Sequence, residues 1–524
     1  MTRDPITISV IQAGLVAAAD EMFETLKKTS MSPIIYEVLD VGTGITDKHG
    51  NLVGSGAGIP TFVGILDKAV KRIIEIHGLE KVEEGDLFIT NDPYYGGVTH
   101  LNDVVVSLPV FFNGECIAWA SSIGHWSDVG GSTPGSMSTR VSEIIQEGLR
   151  LPAVKLFERG EPVTSLLEII TCNSRLPEIA KGDLWSQISA SRRAGKRITE
   201  LADTYGMGNY NLALEDLFEE GEKRARKGLL KLPKGRFEAS EIQENDDLWK
   251  VAITITDYDF VVDLTDNPKQ KAGPYNTSRD GAVISSQMLF KVLTDPNLFC
   301  NEGSFKPLKV ITKPGTVFEA TGTAPHGYYF ETRIRLFDLL LQCMARAMPE
   351  QLPAGHFSSI CGTVIAGVHP ITGRKYTMVE PQLGGWGATS TRDGLNCMYS
   401  FSHGETYVCP VEICEARYGM EVGWKRLLDD QTGKGLYEGG KSLSTSYRMK
   451  GKAVVSAGYS RSKNPVWGLN GGNPGGTNKF EVRKVGTDPV RYAFVSDLEV
   501  DNGDEIIIET AKGGGWGRPM EKSL

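Results

Sequence analysis

A chain of 524 residues is too long for one minimal core, and the length predicts about two to four domains or one large elaborated one. With 40% hydrophobic and 23% charged residues it has the composition of a folded globular protein, which excludes a disordered chain. A net charge of −9 without a long basic run excludes nucleic acid as a partner.

Residues 5–29, PITISVIQAGLVAAADEMFETLKKT, place Ile8, Ile11, Leu15, Ala18, Ala19, Met22, Phe23 and Leu26 at helical spacing. Asp4 suits the N-cap and Pro5 the first turn. Asp4, Asp20 and Glu21 interrupt the apolar residues, so the segment does not read as a signal peptide. No unbroken apolar run approaches the roughly 18 residues of a membrane span, so no membrane is expected as a partner. The stretch VLDVGTGITDKHGNLVG reads as a hairpin turning at residues 48–51. Asp40 lies beside its apolar Val38, Leu39 and Val41, where an unpaired carboxylate is costly. That makes it a candidate metal ligand, with a hydrogen-bonded structural aspartate fitting the local pattern equally well.

After a second helix over residues 61–78 and the strand DLFIT comes the most informative stretch, residues 91–131: NDPYYGGVTHLNDVVVSLPVFFNGECIAWASSIGHWSDVGG. Two apolar runs flank Asn113-Gly114, the dipeptide most strongly tied to a two-residue type I′ hairpin. With that turn Phe112 pairs with Glu115, and His125 falls opposite Asn102, between His100 and Asp103. Two imidazoles and a carboxylate brought to one end of a hairpin suit a divalent metal such as zinc, manganese, iron or cobalt. H-x-x-D alone is common, and a histidine near a strand end is ordinarily a surface or hydrogen-bonded core residue. It is the convergence across the hairpin that singles out these three. Strict extended pairing does not aim all three side chains at one point, so the strand ends are expected to bend or bulge. Asp128, three residues beyond His125, is a candidate proton acceptor or further ligand, as is Asp40.

Residues 142–151 (SEIIQEGLRL), 166–206 and 210–232 read as helices, the last long and charged. Pro233-Lys234-Gly235 then marks the best boundary. The expected fold is α+β: an N-terminal α/β metal-binding part over residues 1–235 and a β-rich, glycine-loop part over residues 236–524. In the second part LWKVAITITDYDFVVDLTD alternates as strands, while ISSQMLFKVLTDP and LFDLLLQCMARAMPEQLP read as helices. Sixty glycines exceed the usual share of about 7%. They cluster in LGGWG (383–387), GKGLYEGG (433–440), GLNGGNPGG (468–476) and GGGWG (513–517), which suit tight turns and close backbone approach. GLYEGGKS at 435–442 matches the P-loop pattern, but LLDDQTGK before it is no buried strand and strands are expected after it, so phosphate binding is not expected. His403 is the most suggestive of the remaining histidines, although a loop histidine is the simpler reading. The eight cysteines lack CxxC spacing and read as reduced thiols of a cytoplasmic protein.

Taken together, these motifs resemble the hydantoinase B/oxoprolinase family over essentially the whole chain. The resemblance rests on DPITISVIQ, the segment from Ser32-Pro33 to Asp40, NDPYYGG, H-L-x-D, HWSDVGG, PGSMS, the EGL at 147–149 and the NSRLP at 173–177. It continues through GGWG, the DG at 393–394, the P-V-E-x-x-E at 410–415, NGGNPGG and the closing GGGWG. It implies a metal-containing subunit working with an ATP-using partner of actin-like fold, the hydantoinase A type, in a hetero-oligomer. Such complexes open hydantoins, 5-oxoproline or lactams with ATP hydrolysis; related ones carboxylate acetone or acetophenone, and that is the alternative function. In the carboxylase relatives a His-x-x-Asp pair and a later His hold the metal, matching His100, Asp103 and His125, with Asp40 at a nearby acidic position. A zinc, manganese or iron ion there would lower the pKa of a bound water, while the partner would use ATP and magnesium. The substrate would be a small cyclic amide or a ketone. Three departures put the substrate pocket apart from that of classical hydantoinases: Val41-Gly42 where many members have Phe-Ser, PTFVG at 60–64 without a histidine, and Trp126 in place of a second histidine.

Overall fold

The computed structural model describes residues 4–520 except 298, 405 and 429–431. Its first helix, α1 (Pro5–Thr29), begins where expected: the Asp4 side chain accepts from the Ile6 N–H, and the eight apolar residues named above are all buried. Its mean hydropathy of 1.4 over an 18-residue window makes it, among the described residues, the one helix long and apolar enough to cross a membrane. Alanines lift that mean without an unbroken apolar run, and the buried stripe packs against the chain's own helices.

The short α2 (Pro33–Tyr36) and α3 (Pro60–His77) flank a sheet of seven strands. These are β1 (Val41–Asp47), β2 (Leu52–Gly58), β3 (Leu87–Thr90), β4 (Asp103–Phe112), β5 (Glu115–His125), β6 (Val154–Glu158) and β7 (Glu161–Pro162). Their order is β2-β1-β5-β4-β3-β6-β7, antiparallel throughout. Three helices follow: α4 (Thr164–Asn173), α5 (Pro177–Tyr205) and α6 (Met207–Leu229). Strand alternation sorts the sheet's two faces. Val104 and Val106 cluster with Leu184 and Ile188 of α5, while Val105 and Ile123 cluster with Phe62 and Leu66 of α3. The expected helix over 142–151 is only a 3-10 turn, Ile144–Glu147, ended by Gly148 at φ 136°. Glu147 is drawn off to bind the backbone of residues 326 and 327.

From Gly235 the chain turns to strands, as the alternation predicts. One four-stranded sheet holds β8 (Gly235–Ile242), β9 (Leu248–Ile255), β10 (Phe260–Asp263) and β11 (Leu308–Ile311), with α7 (Arg279–Thr294) against it. Then comes α8 (Tyr329–Ala347), which starts earlier than the apolar run suggested and is buried from Tyr329 to Ala345 on every side. A second four-stranded sheet comprises β12 (Thr363–Val368), β13 (Lys375–Glu380), β16 (Ala453–Gly458) and β19 (Phe494–Val500). The short α9 (Val411–Arg417) leads to a five-stranded sheet of β14 (Met420–Leu428), β15 (Ser442–Met449), β17 (Lys479–Arg483), β18 (Val490–Tyr492) and β20 (Glu505–Glu509). The largest apolar core joins Ile11, Leu15 and Met22 of α1 to Phe357, Ile365, Tyr447 and Ile506, so it draws on residues from both sides of position 235.

The four glycine stretches come together. Gly385 donates to Ala511 O, Gly440 to Trp386 O, Gly513 to Gly440 O, and Gly515 to Asn473 O. Backbone meets backbone so closely that a Cβ at Gly439 would stand 1.8 Å from Gly513 O, and one at Gly513 would stand 1.9 Å from Trp386 O. The P-loop look-alike belongs to this knot: Ser442 opens β15 where a phosphate-binding loop would open a helix. Of the LLDDQTGK stretch before it, residues 429–431 lie outside the described residues.

Candidate metal centre

The β4–β5 hairpin turns at Asn113 (φ 52°) and Gly114 (φ 81°), both left-handed as a type I′ turn requires. Phe112 faces Glu115 and Phe111 faces Cys116 in the expected register. A bulge then leaves Ile117 unpaired, so Val110 faces Ala118 and Asp103 faces His125. The predicted partner of His125, Asn102, is therefore off by one position. The correction improves the site, since the carboxylate itself now stands across from the imidazole. On the other side of β5, Val41 pairs with Gly124, and the His125 N–H donates to Asp40 O at 3.0 Å. Asp103, His125 and Asp40 thus sit at one end of three neighbouring strands. Asn102 locks the turn by donating from Nδ2 to Trp126 O at 2.8 Å and receiving the Trp126 N–H at 2.7 Å.

His100 comes in from the turn before β4. Its Nδ1 lies 3.1 Å from Gly327 O. A carbonyl only accepts, so this nitrogen carries a proton and Nε2 is left to face Asp103. That Nε2 lies 3.1 Å from Asp103 Oδ1, and both side chains are almost fully buried. Two lone pairs facing each other at that distance are satisfied only by a cation between them, either a proton or a metal ion. Gly327 is itself fixed by Glu147, which accepts its N–H at 2.6 Å and that of His326 at 2.9 Å. The other Asp103 oxygen accepts from Thr99 Oγ1 and, at 3.1 Å, from the Tyr329 hydroxyl.

One ligand atom from each of His100, Asp103 and His125 lies within 4.8 Å of the others. Asp103 Oδ1 and His125 Nδ1 are buried without a hydrogen-bond partner. Burial, with His100 beside it, pushes His125 down to about 4, so at neutral pH its lone pair is free. Burial alone would raise Asp103, but the neighbouring His100 and His125 and the Thr99 hydroxyl outweigh it and hold the carboxyl below its usual range. This donor set, two imidazoles and one ionised carboxylate, fits a divalent transition metal.

The three residues line a small cavity of about 30 Å³ shared with Asp40, Phe62, Tyr329, Phe330, Arg333 and His403. Asp40 is not among the closely spaced ligand atoms. Burial and the charge of Asp103 push its carboxyl well above the usual range.

A family model for hydantoinase B/oxoprolinase matches residues 4–519. The chain belongs to the hydantoinase B/oxoprolinase family. An uncharacterized protein of Methanocaldococcus jannaschii is 30% identical over 99% of this hydantoinase B-type chain and 92% of its own length. The caprolactamase subunit beta of Pseudomonas jessenii is 28% identical over 100% and 92%. The 5-oxoprolinase 1 of Arabidopsis thaliana is 26% identical over 98% of this chain but only 42% of its own length. Among solved structures, the ATP-dependent caprolactamase from Pseudomonas jessenii superposes with a TM-score of 0.91 at 24% identity, covering 99% of this chain and 93% of the other. A nucleotide-free acetone carboxylase gives 0.88 at 18%, covering 99% and 76%. These two show that the fold is shared.

Within this family member the structure brings together His100, Asp103, His125 and Asp40 but leaves Asp128 apart. Both Asp128 oxygens are occupied: Oδ1 accepts the N–H groups of Gly130 (3.0 Å) and Arg175 (2.9 Å). Oδ2 accepts from Gly135 N (2.9 Å) and Arg175 Nη1 (3.1 Å). It organises the loop after His125 and does not line the cavity. Asp128→Asn is expected to cost about 1–3 kcal/mol of stability, the range for hydrogen bonds to a charged group. Bound metal, measured by mass spectrometry, should be unchanged; its loss would return Asp128 to the site. Sequence reasoning passed over three cavity residues: Tyr329, Arg333 and, as a loop histidine, His403. Both ring nitrogens of His403 are buried without partners, and burial together with Arg333 pushes it down to about 3.

Proposed function

We propose that this chain is the metal-binding subunit of an ATP-dependent cyclic-amide hydrolase. It acts in the cytoplasm with a hydantoinase A-type, ATP-using partner. The observation that carries the reading is the cluster of His100, Asp103 and His125, whose ligand atoms lie within 4.8 Å of one another, with Asp103 Oδ1 and His125 Nδ1 buried and without hydrogen-bond partners. The sequence relatives named for caprolactam and 5-oxoproline supply the substrate class, and the eight free thiols fit a reducing compartment.

His100, Asp103 and His125 would hold the ion, with Asp40 as a fourth ligand once a cation offsets the proton it otherwise keeps. A divalent ion bound there supplies Lewis-acid activation of water near neutral pH. The protein's own part is positional. Glu147 fixes Gly327, Gly327 fixes His100, and Thr99 and Tyr329 aim Asp103. The partner transfers the γ-phosphoryl group of ATP to the amide oxygen and releases ADP. Water then adds to the activated carbon and the C–N bond breaks as the ring nitrogen takes up a proton; a second water hydrolyses the acyl phosphate that remains, giving the carboxylate and free phosphate. Asp40, in the cavity wall, would accept the proton lost by water where it does not serve as a ligand.

Co-expression with the partner tests the reading. ADP release should rise with a hydantoin, 5-oxoproline or a lactam. Turnover that requires a ketone and bicarbonate instead would replace it with the carboxylase reading, whose fold the acetone carboxylase structure shares. Chelation supplies a second test. An ion held at about 1,000 times its dissociation constant contributes about 4 kcal/mol, so stripping it should lower the melting temperature and re-adding it should restore it.

A further inference from the structure

The cavity holds a buried cationic side chain without an ion pair of its own. Arg333, on α8, is 1% exposed and lines the cavity with the three candidate ligands. Its neighbour on the same helix, Arg335, is fully engaged, with Glu241 and Asp338 both accepting from it. Arg333 is not. Its Nη1 reaches only the sulfur of Met288, at 3.7 Å, and its Nε has no hydrogen-bond partner. Among the described residues no carboxylate forms an ion pair with it. Asp103, in the same cavity, favours its charge electrostatically but accepts no hydrogen bond from it. A guanidinium buried in this way is costly unless an anion arrives. His403, in the same wall, has both ring nitrogens buried and unpartnered.

We propose that Arg333 is an oxyanion-binding residue of the cavity, with His403 as a second hydrogen-bonding group beside it. The planar guanidinium fork matches two oxygens of a phosphoryl group or of a carboxylate. The present volume of about 30 Å³ admits a water or two, so arrival of the oxyanion widens the cavity. The proposal deepens the functional reading and rests on it for the two sources of that anion. One is the phosphoryl group carried by the activated amide oxygen. The other is a carboxylate borne by the substrate ring, as on 5-oxoproline.

The test needs neither partner nor turnover, so it fails or succeeds separately from the functional reading. The full-length, metal-loaded chain is titrated calorimetrically with inorganic phosphate and, separately, with acetate. The wild type should bind one of them; phosphate points to the activated group and acetate to the ring carboxylate. Arg333→Gln should weaken that binding by about tenfold or more, and Arg333→Lys, which keeps the charge without the fork, by less. Metal content should be unchanged. The anion-free melting temperature of Arg333→Gln should hold or rise, because an unpaired buried charge has been removed. Equal anion binding by wild type and Arg333→Gln, no binding of either anion by the wild type, or a lower melting temperature for Arg333→Gln would each overturn the assignment.

Discussion

A His100→Ala, His125→Ala double variant is expected to purify without its metal. Elemental analysis should fall from about one ion per chain to background, because a single carboxylate does not retain a transition ion that three donors hold. ATP-coupled ring opening in the complex should be lost with it. The melting temperature should fall as well, since the bound ion and the two imidazoles that offset the buried Asp103 carboxylate are lost together. His403→Ala is the matched control. Its imidazole shares the cavity but not the ligand cluster, so metal should stay bound. Undiminished metal in the double variant would remove the basis of the functional reading.

The largest loss of stability is expected elsewhere, at Asp338. Its carboxylate is fully buried within α8. One oxygen accepts from Arg335 Nη1 at 3.1 Å and Arg461 Nη2 at 2.6 Å, the other from Trp467 Nε1 at 3.1 Å, with His356 Nδ1 at 3.4 Å. Both arginines are 1% exposed. Burial opposes the charge, yet Arg461, His356 and Arg335 pull the carboxyl far below its usual range. Asp338→Ala leaves two buried guanidinium groups sharing only Glu241, and breaking such a network by removing one partner costs about 3–5 kcal/mol. Chemical denaturation should show that loss, whereas Asp338→Asn, which keeps the shape and part of the hydrogen bonding, should lose less. A melting curve matching that of the wild type would mean that the network relaxes around the gap.

How much of this was legible in the residues depends on whether the signal was local. Helix α1 carried its own cap and an unbroken helical stripe, and it formed as read. The Asn113-Gly114 turn dictated a hairpin, and the hairpin brought His100, Asp103 and His125 together. The one-residue slip at Ile117 was not legible, because a bulge depends on how a strand bends over its core and Ile117 looks like any apolar strand residue. Arg333 and His403 were missed for a different reason. They reach the cavity from α8 and from the segment between β13 and α9, and no periodicity links either to the hairpin. Asp128 misled because proximity in sequence to His125 was taken for proximity in space. Its side chain turns away to satisfy Gly130, Gly135 and Arg175.

The glycine knot has a consequence in time. Its four strings lie at residues 383–387, 433–440, 468–476 and 513–517, and each is closed by backbone bonds to the others. None can reach its final shape alone. The first three share bonds of their own, such as Gly440 to Trp386 O and Gly433 to Pro474 O, but the knot is complete only once Gly513 meets Gly440. Completing the knot therefore waits on contacts between segments far apart in sequence, where long-range loop closure sets the pace.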